Sequence, residues 1–457
     1  MSLLKEFGHR DAAKVGEELH RFAAELFPIC RSITGEGIRQ TLTMIGSRIP
    51  LKVFEVPTGT SVFDWTVPKE WNIRDAYIKA PDGRRIVDFR ESNLHVLNYS
   101  TPMHATMPLS ELKPHLFTMP EHPDWIPYRT SYYKEDWGFC LSHKQMQSLE
   151  DGDYEVCIDS ALENGHLTYG ECHLPGQSSE EVLISCHACH PSLANDNLSG
   201  LTVATFLARS LCGRDLRYSY RFLFIPGTIG AITWLARNQE ITRRIRHGLV
   251  LTCVGDKGSF HYKKSRRGDA EIDRAVGHVL RHYSDSPEIL EFSPYGYDER
   301  QYCSPGFNLA VGCFMRSVGG TFPEYHTSAD NLSFIQPEQL ADSLRICSAI
   351  VDVVEQNRRY QNLNPYAEPQ LGRRNLYRST GGDAIGEEIN ARLWVLNLSD
   401  GENSLLEIAE RSGIPFPTIN EAAELLCKNG LLSVVSDDRL TRETGGEGSH
   451  EGELQRS

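Results

Sequence analysis

The sequence predicts an α/β protein: a largely parallel, mixed sheet flanked by helices, with an inserted antiparallel β-domain and a C-terminal winged helix. Three observations support this prediction. Short apolar runs alternate with amphipathic helical segments between residues 180 and 355, as in strand–helix–strand units of a parallel sheet. Residues 50–160 instead hold short β-rich runs and clustered aromatic residues between turn residues. Residues 385–436 return to short helices.

Two helices are expected within residues 10–48. Leu19, Phe22 and Leu26 recur at helical spacing, and a second helix follows the turn at 34–37. We assign residues 1–48 and 165–360 to one α/β domain. Residues 49–164 form the inserted β-rich domain, with strand candidates at 51–56 and 93–97.

The α/β domain is expected to alternate strands and helices. The predicted strands are 182–184, 222–225, 249–254 and 309–311, and the predicted helices are 198–211, 232–236, 270–283 and 337–355. In such sheets, ligands bind beyond the carboxyl ends of the strands.

The C-terminal region is divided into three parts. Residues 361–384, rich in Asn, Pro, Gly and Arg, are interpreted as a linker. Helices at 389–398, 404–411 and 418–428 and a short strand pair at 431–435 outline a winged helix over 385–436. Residues 437–457 are predicted to be disordered. The third helix offers few cations for phosphate contacts, which favours a packing or oligomerisation role over DNA binding.

Composition excludes several classes of protein. The 457 residues carry 47 Lys and Arg against 61 Asp and Glu, a net charge of −14, which disfavours non-specific nucleic-acid binding. There is no apolar run of about 18 residues and no apolar segment after Met1 typical of a signal peptide. The 12 scattered Cys are typical of reduced thiols. These features predict a cytoplasmic protein with no membrane partner.

Four polar segments follow predicted strands or open the next helix: 185–191 (SCHACHP), 195–200 (NDNLSG), 255–258 (GDKG) and 325–331 (YHTSADN). They are expected to bring His187, His190, Asp196, Asp256 and His326 to one sheet edge. Two imidazoles and two carboxylates suit Zn²⁺. A carboxylate between two histidines can also bridge a metal pair.

Each of these residues also has a plainer interpretation. Asp196 could cap the following helix, and Asp256 could be a turn residue. His187 and His190 could be ordinary surface or core histidines, and His326 could be a packed loop residue. Cys186 and Cys189 form a Cys-x-x-Cys pair, which alone is a weak zinc or redox signal.

The order His…Asn-Asp-Asn-x-Ser-Gly…Gly-Asp…Tyr-His-Thr-x-x-Asp-Asn resembles the zinc-dependent aminopeptidases of the co-catalytic two-metal type. More closely, the chain resembles bacterial aminopeptidase-like proteins with an inserted β-domain and a C-terminal winged helix, which are described as polysaccharide-biosynthesis proteins. The resemblance covers roughly residues 20–355. It is carried by LFPICRSITG (26–35), FDW (63–65), WN (71–72), CHPSLANDN (189–197) and PEYHTS (323–328).

The resemblance implies one or two Zn²⁺ ions and a set of ligands. Asp196 would be the potential bridge, and Cys189 stands where the peptidases carry an Asp that orients the ligating His. The implied ligands are His187, Asp196, Asp256 and His326, with His190 and Cys189 as alternatives.

One departure from the resemblance concerns catalysis. After the strand at 222–225 the true peptidases carry two adjacent Glu residues, a general base and a metal ligand, where this chain has Gly227 and Thr228. Loss of a general base costs roughly 10²–10⁴-fold in rate. Asp298, Glu299 and Glu324 are the candidate replacements.

The sequence therefore predicts a zinc-dependent, aminopeptidase-like hydrolase. Its substrate would carry an amide or peptide-like bond and a free amine, in a small metabolite or biosynthetic intermediate. The alternative is a catalytically degenerate peptidase fold with a binding or assembly role in a biosynthetic pathway. A DNA-binding regulator is the third hypothesis, which the acidity disfavours, and a homo-oligomer is left open.

Overall fold

The computed structural model describes residues 2–8, 11–377 and 386–435. The chain forms two compact units, Met1–Glu355 and Gln356–Ser457. The tail predicted at 437–457 and part of the predicted linker lie outside the described residues.

The strands, in chain order, are β1 Lys52–Pro57, β2 Ser61–Val62, β3 Trp65–Thr66, β4 Glu70–Lys79, β5 Arg85–Asp88, β6 Met103–Pro108, β7 Leu116–Phe117, β8 Phe139–Cys140, β9 Asp153–Glu163, β10 His166–Leu174, β11 Glu181–His187, β12 Ser219–Ile225, β13 Ile245–Leu251, β14 His261–Lys263, β15 Glu288–Leu290, β16 Val311–Met315, β17 Arg359–Asn362, β18 Asp400–Ser404 and β19 Leu432–Val434. The α-helices are α1 Leu3–Gly8, α2 Ala12–Leu26, α3 Glu36–Gly46, α4 Leu109–Leu112, α5 His143–Gln147, α6 Gly200–Leu211, α7 Ile229–Arg237, α8 Gln239–Thr242, α9 Glu271–Tyr283, α10 Glu299–Tyr302, α11 Pro337–Gln356, α12 Glu387–Leu398, α13 Leu405–Ser412 and α14 Phe416–Lys428.

The first unit is built on an eight-stranded sheet of order β1-β10-β12-β11-β13-β16-β14-β15. Its centre, β12-β11-β13-β16, is parallel throughout, whereas β1, β10 and the β14–β16 pair run antiparallel. Every residue of β11, β12 and β16 is buried, which explains their continuous apolar runs. The predicted mixed, largely parallel sheet flanked by helices is confirmed.

The helices cover the sheet with apolar faces. In α2, Leu19, Phe22 and Leu26 are buried, and the Asp11 carboxylate caps the helix by accepting from the backbone N–H of Ala13 at 3.1 Å. Ten of the residues of α6 are buried. Within the described ranges, no helix has both the length and the apolar character needed to cross a bilayer.

The inserted domain starts later than the predicted boundary at residue 49. β1 pairs with β10 at the edge of the main sheet, and a separate antiparallel sheet of order β5-β4-β9-β6 begins after it. Most side chains of β1 are exposed, so its pattern does not distinguish an edge strand of one sheet from a strand of the other.

The second unit holds α12, α13, α14 and the sheet β18-β17-β19. The three predicted helices are present. The strand pair predicted at 431–435 is wrong, because that segment gives one strand, β19, which pairs with β17. Residues 361–362 therefore belong to a strand and not to the predicted linker. A short strand satisfies its backbone groups with a partner distant in sequence, which local patterns do not show.

His247 in β13 gives the fold an acid-sensitive position. Its side chain is buried against the edge of the Tyr218 ring, and neither ring nitrogen has a hydrogen-bond partner in the described part of the chain. Burial lowers the pKa of His247 to about 4. In the unfolded chain the imidazole of His247 takes up a proton near pH 6.5, whereas in the folded chain it does so only near pH 4. Acid therefore favours the unfolded chain, and the free energy of unfolding decreases as the pH falls from 6.5 toward 4.

We therefore expect His247→Phe to reduce the loss of unfolding free energy between pH 7 and pH 4.5 by about 2 kcal/mol. Urea unfolding at both pH values measures this difference. His104→Gln, at an exposed position of β6, is the control and should follow the wild type. An unchanged pH dependence in His247→Phe would contradict the assignment.

Candidate metal centre

The site lies at the carboxyl edge of the parallel strands. β11 ends at His187, between the ends of β12 and β13. The two neighbours of β11 in the sheet, β12 and β13, both follow it in the sequence, so the strand order reverses at β11. Ligands of parallel sheets bind at such a topological switch point. The loop after β11 leads into one irregular turn at Ala194–Ser199, which carries Asp196 back toward His187.

Asp196 is contacted by histidines on both carboxylate oxygens. Nε2 of His187 lies 2.8 Å from Oδ1, and Nε2 of His326 lies 3.0 Å from Oδ2. Nε2 of His190 lies 4.0 Å from Oδ2. His187, His190 and Asp196 offer ligand atoms that all lie within 4.8 Å of one another. Within the described residues, no other group of three or more His, Cys, Asp or Glu side chains is this tight.

Burial and charge act together on this cluster. Asp196, His187 and His190 are buried. Burial alone would raise the pKa of Asp196, but His190 and His187 outweigh it and hold that pKa well below its usual range. Burial lowers the pKa of His190 well below its usual range. The cluster therefore holds Asp196 as an anion, the form in which a carboxylate binds metal ions.

Neighbouring polar groups fix these side chains. The Asp330 carboxylate accepts from the backbone N–H groups of Asn195 at 2.6 Å and Asp196 at 2.9 Å, although burial raises the pKa of Asp330 to about 8. The Asn197 amide lies 3.4 Å from Nδ1 of His187. The same amide nitrogen donates to the Leu251 carbonyl at 3.0 Å, and the Asn197 carbonyl oxygen accepts from the Gly200 N–H at 3.1 Å. The sequence analysis did not identify these supporting roles.

The inserted domain also contributes to the site. The backbone N–H of Tyr128 donates to the carbonyl of His326 at 2.7 Å, and that of Ser328 donates to the carbonyl of Ile126 at 2.8 Å. The Tyr128 ring packs edge-on against His190 and His326. Sequence reasoning missed Tyr128. The clustering of aromatic residues in the insertion was the available signal.

Two other predicted ligands face different partners. The Asp256 carboxylate accepts from the Asn195 amide at 2.6 Å, from Ser317 Oγ at 2.7 Å and from the Gly258 N–H at 2.6 Å. Asp256 is not a member of the tight group. Burial raises the pKa of the Cys189 thiol to about 12, so this residue is a neutral thiol and a poor ligand.

The three candidate bases differ in their surroundings. Asp298 is fully buried, neither of its carboxylate oxygens has a hydrogen-bond partner in the described residues, and burial raises its pKa well above the usual range. Glu299 is also buried, forms an ion pair with Lys263 and accepts from the Tyr297 N–H. Glu324 is half-buried in the loop before His326.

A cavity of about 410 Å³ opens beside Asp196. Its wall is largely aromatic and aliphatic, and its charged lining residues are Asp196, Glu291 and the buried Lys263–Glu299 pair. The apolar lining includes Leu290, Met315, Tyr295, Tyr297 and Tyr325. Such a cavity can hold an apolar group of a small ligand while the polar cluster faces the rest of the ligand.

The donor set fits a zinc ion. Three imidazoles and one carboxylate match the nitrogen and oxygen ligands of catalytic zinc sites, and the cluster lies beside a cavity from which a ligand can approach.

Comparisons with known proteins agree with this architecture. The family described as Domain of unknown function (DUF4910) matches residues 20–357, and a winged helix-turn-helix family matches residues 358–434. A Clostridium acetobutylicum protein is 52% identical over 428 residues, which are 93% of this chain and 98% of that protein. Its name proposes a polysaccharide biosynthesis protein with an aminopeptidase-like domain.

Solved structures show the same likeness. A crystal structure from Clostridium acetobutylicum, whose name proposes a peptidase, has a TM-score of 0.90 at 51% identity and covers 94% of this chain and 100% of that one. BSAP, a zinc aminopeptidase from Bacillus subtilis, has a TM-score of 0.54 at 13% identity over 75% of this chain and 95% of that one. This second likeness shows the fold alone.

The resemblance predicted from the sequence is confirmed for both the aminopeptidase-like fold and the winged helix. The chain therefore belongs to the family described as Domain of unknown function (DUF4910).

Proposed function

We propose that this protein is a cytoplasmic, zinc-dependent hydrolase that cleaves an amide or peptide-like bond in a small biosynthetic intermediate. The observation that carries the proposal is the buried cluster of His187, His190 and Asp196, with His326 on the second Asp196 oxygen, beside an apolar cavity. The names of the relatives, a polysaccharide biosynthesis protein and a peptidase, point in the same direction.

In this proposal His187, His190, Asp196 and His326 hold the ion. When bound, zinc would supply Lewis-acid polarisation of the substrate carbonyl and activation of water. Asp196 provides the negative charge of the centre, and Tyr128 and Asp330 keep its ligands in place. The cavity orients the substrate by taking up an apolar group next to the scissile bond.

Among the predicted bases, the surroundings favour Glu324. Asp298 is fully buried without a hydrogen-bond partner in the described residues, and Glu299 is fully buried in its pair with Lys263. Glu324 is partly accessible and lies two residues before His326. In this scheme its carboxylate moves the proton from water to the leaving amine.

The test measures zinc and turnover on the same preparation. Plasma mass spectrometry should find zinc in the purified full chain, and apolar aminoacyl anilides should be hydrolysed by the zinc-loaded protein. Glu324→Gln should lower kcat by about 10²-fold or more without loss of zinc. Glu121→Gln, at an exposed position of the insertion, is the matched control. A protein that binds no zinc contradicts the proposal.

A binding role without hydrolysis is the second candidate. It is favoured by Gly227, which leaves the segment after β12 without a carboxylate, and by the Tyr297 ring that lies against this glycine. This candidate would be supported if the zinc-loaded protein hydrolyses none of the amides but its melting temperature rises when a biosynthetic intermediate is added.

A further inference from the structure

We infer that the centre holds one metal ion per chain, because Tyr297 fills the space that a carboxylate ligand of a second ion would need after β12. This inference rests on the proposed zinc centre and specifies its stoichiometry. It departs from the two-ion centre that the sequence resemblance allowed.

The Tyr297 ring lies directly against Gly227. A Cβ atom placed on Gly227 would lie 2.6 Å from both Cζ and Oη of Tyr297, and closer still to Cε1. Non-bonded carbon contacts have their optimum near 3.5–4.0 Å. Any side chain at position 227 therefore requires the Tyr297 ring to move away.

Tyr297 is held in place by contacts with three neighbouring residues. Its ring lies over the His187 ring with centroids 3.8 Å apart, and its hydroxyl lies 3.7 Å from Sγ of Cys189. Its backbone N–H donates to Glu299 at 3.1 Å. Glu299 in turn pairs with Lys263, so a buried ion pair supports this segment.

Asp256 and Asp330 are the other carboxylates near the centre, and both accept hydrogen bonds from the surrounding loops. Asp256 accepts from Asn195, Ser317 and Gly258. Asp330 accepts from the backbone N–H groups on either side of the 195–196 peptide. Both carboxylates support the loops through these bonds and lie outside the tight group of His187, His190 and Asp196. His326 also lies outside this group, but it is counted as a donor because its Nε2 lies 3.0 Å from Oδ2 of Asp196.

The donors that remain are three imidazoles and Asp196. A catalytic zinc ion usually takes three protein ligands and keeps one position open. If each of two ions takes three protein ligands and one carboxylate bridges both ions, each ion needs two further ligands, and the pair needs at least four. Three imidazoles are sufficient for one ion and insufficient for two.

The experiment counts ions bound to the full chain. Isothermal titration of the metal-free protein with Zn²⁺, together with plasma mass spectrometry, should give one ion per chain in the wild type. The double variant Tyr297→Ala/Gly227→Glu removes the ring that lies against position 227 and adds a carboxylate there, and it should bind two. Tyr297→Phe, which keeps the ring, is the matched control and should bind one.

The outcomes separate this inference from the proposed function. Two ions in the wild type would overturn the inference and leave the zinc hydrolase intact. No ion in the wild type would overturn the proposed function, and the inference with it. If the double variant folds by circular dichroism but still binds one ion, Tyr297 does not exclude the second ion. If it does not fold, Co²⁺ titration of the wild type, read by visible absorption, still decides between one and two.

Discussion

Asp196→Asn is expected to weaken zinc binding by more than about 100-fold, because it removes the only carboxylate of the tight ligand group. Both oxygens of Asp196 contact histidine nitrogens, at 2.8 and 3.0 Å. An amide carries no negative charge, and it would direct a donor N–H toward one of these nitrogens. Loss of a supporting group around a metal typically costs 10–100-fold in affinity, and loss of a ligand should exceed that. Competition with a chromophoric chelator measures the affinity.

Asp256→Asn is the matched control for this substitution. The residue type and the sheet edge are the same, but the Asp256 oxygens accept from Asn195, Ser317 and Gly258. We expect its zinc affinity to fall less than that of Asp196→Asn, by no more than the 10–100-fold that loss of a supporting group costs. The sequence resemblance implied that both aspartates bind metal. If Asp256→Asn lost zinc and Asp196→Asn kept it, the geometric assignment of the centre would be wrong.

The sequence was sufficient to predict which segments meet at the sheet edge. The apolar runs of β11, β12 and the end of β13 are continuous because these residues are buried on both faces of the sheet, whereas Arg246 near the start of β13 is exposed. Polar residues that directly follow such runs must lie at the carboxyl edge. The convergence of His187, Asp196 and His326 follows from this rule. The ligand roles themselves stay predictions until an ion is measured.

The parts that could not be predicted depend on contacts without a local pattern. Tyr128 reaches His190 and His326 from the inserted domain, and Tyr297 reaches Gly227 from a loop seventy residues later in the chain. Neither residue follows a period of 2 or 3.6. The sequence showed that a Glu was absent at position 227. The aromatic ring that fills the space became visible only in the folded chain.

The buried ion-pair network of β12 gives the second large effect. Arg221 donates to both oxygens of Glu181 at 2.6 and 3.0 Å, and it also contacts Glu171. Arg221 and Glu181 are buried, and Trp234 donates to the second Glu171 oxygen at 3.0 Å. The network joins β10, β11 and β12 at the end of the sheet opposite His187.

Arg221→Met is expected to lower the free energy of unfolding of the first unit by about 3–5 kcal/mol, since it leaves two carboxylates without their buried cation. Urea unfolding followed by tryptophan fluorescence measures the loss. Arg74→Met is the matched control, because the Arg74–Asp159 pair is exposed and its loss should leave the free energy of unfolding nearly unchanged. Adding Glu171→Gln and Glu181→Gln to Arg221→Met removes the unpaired charges and should recover part of the loss. Equal losses in Arg221→Met and Arg74→Met would show that burial does not set the strength of this network.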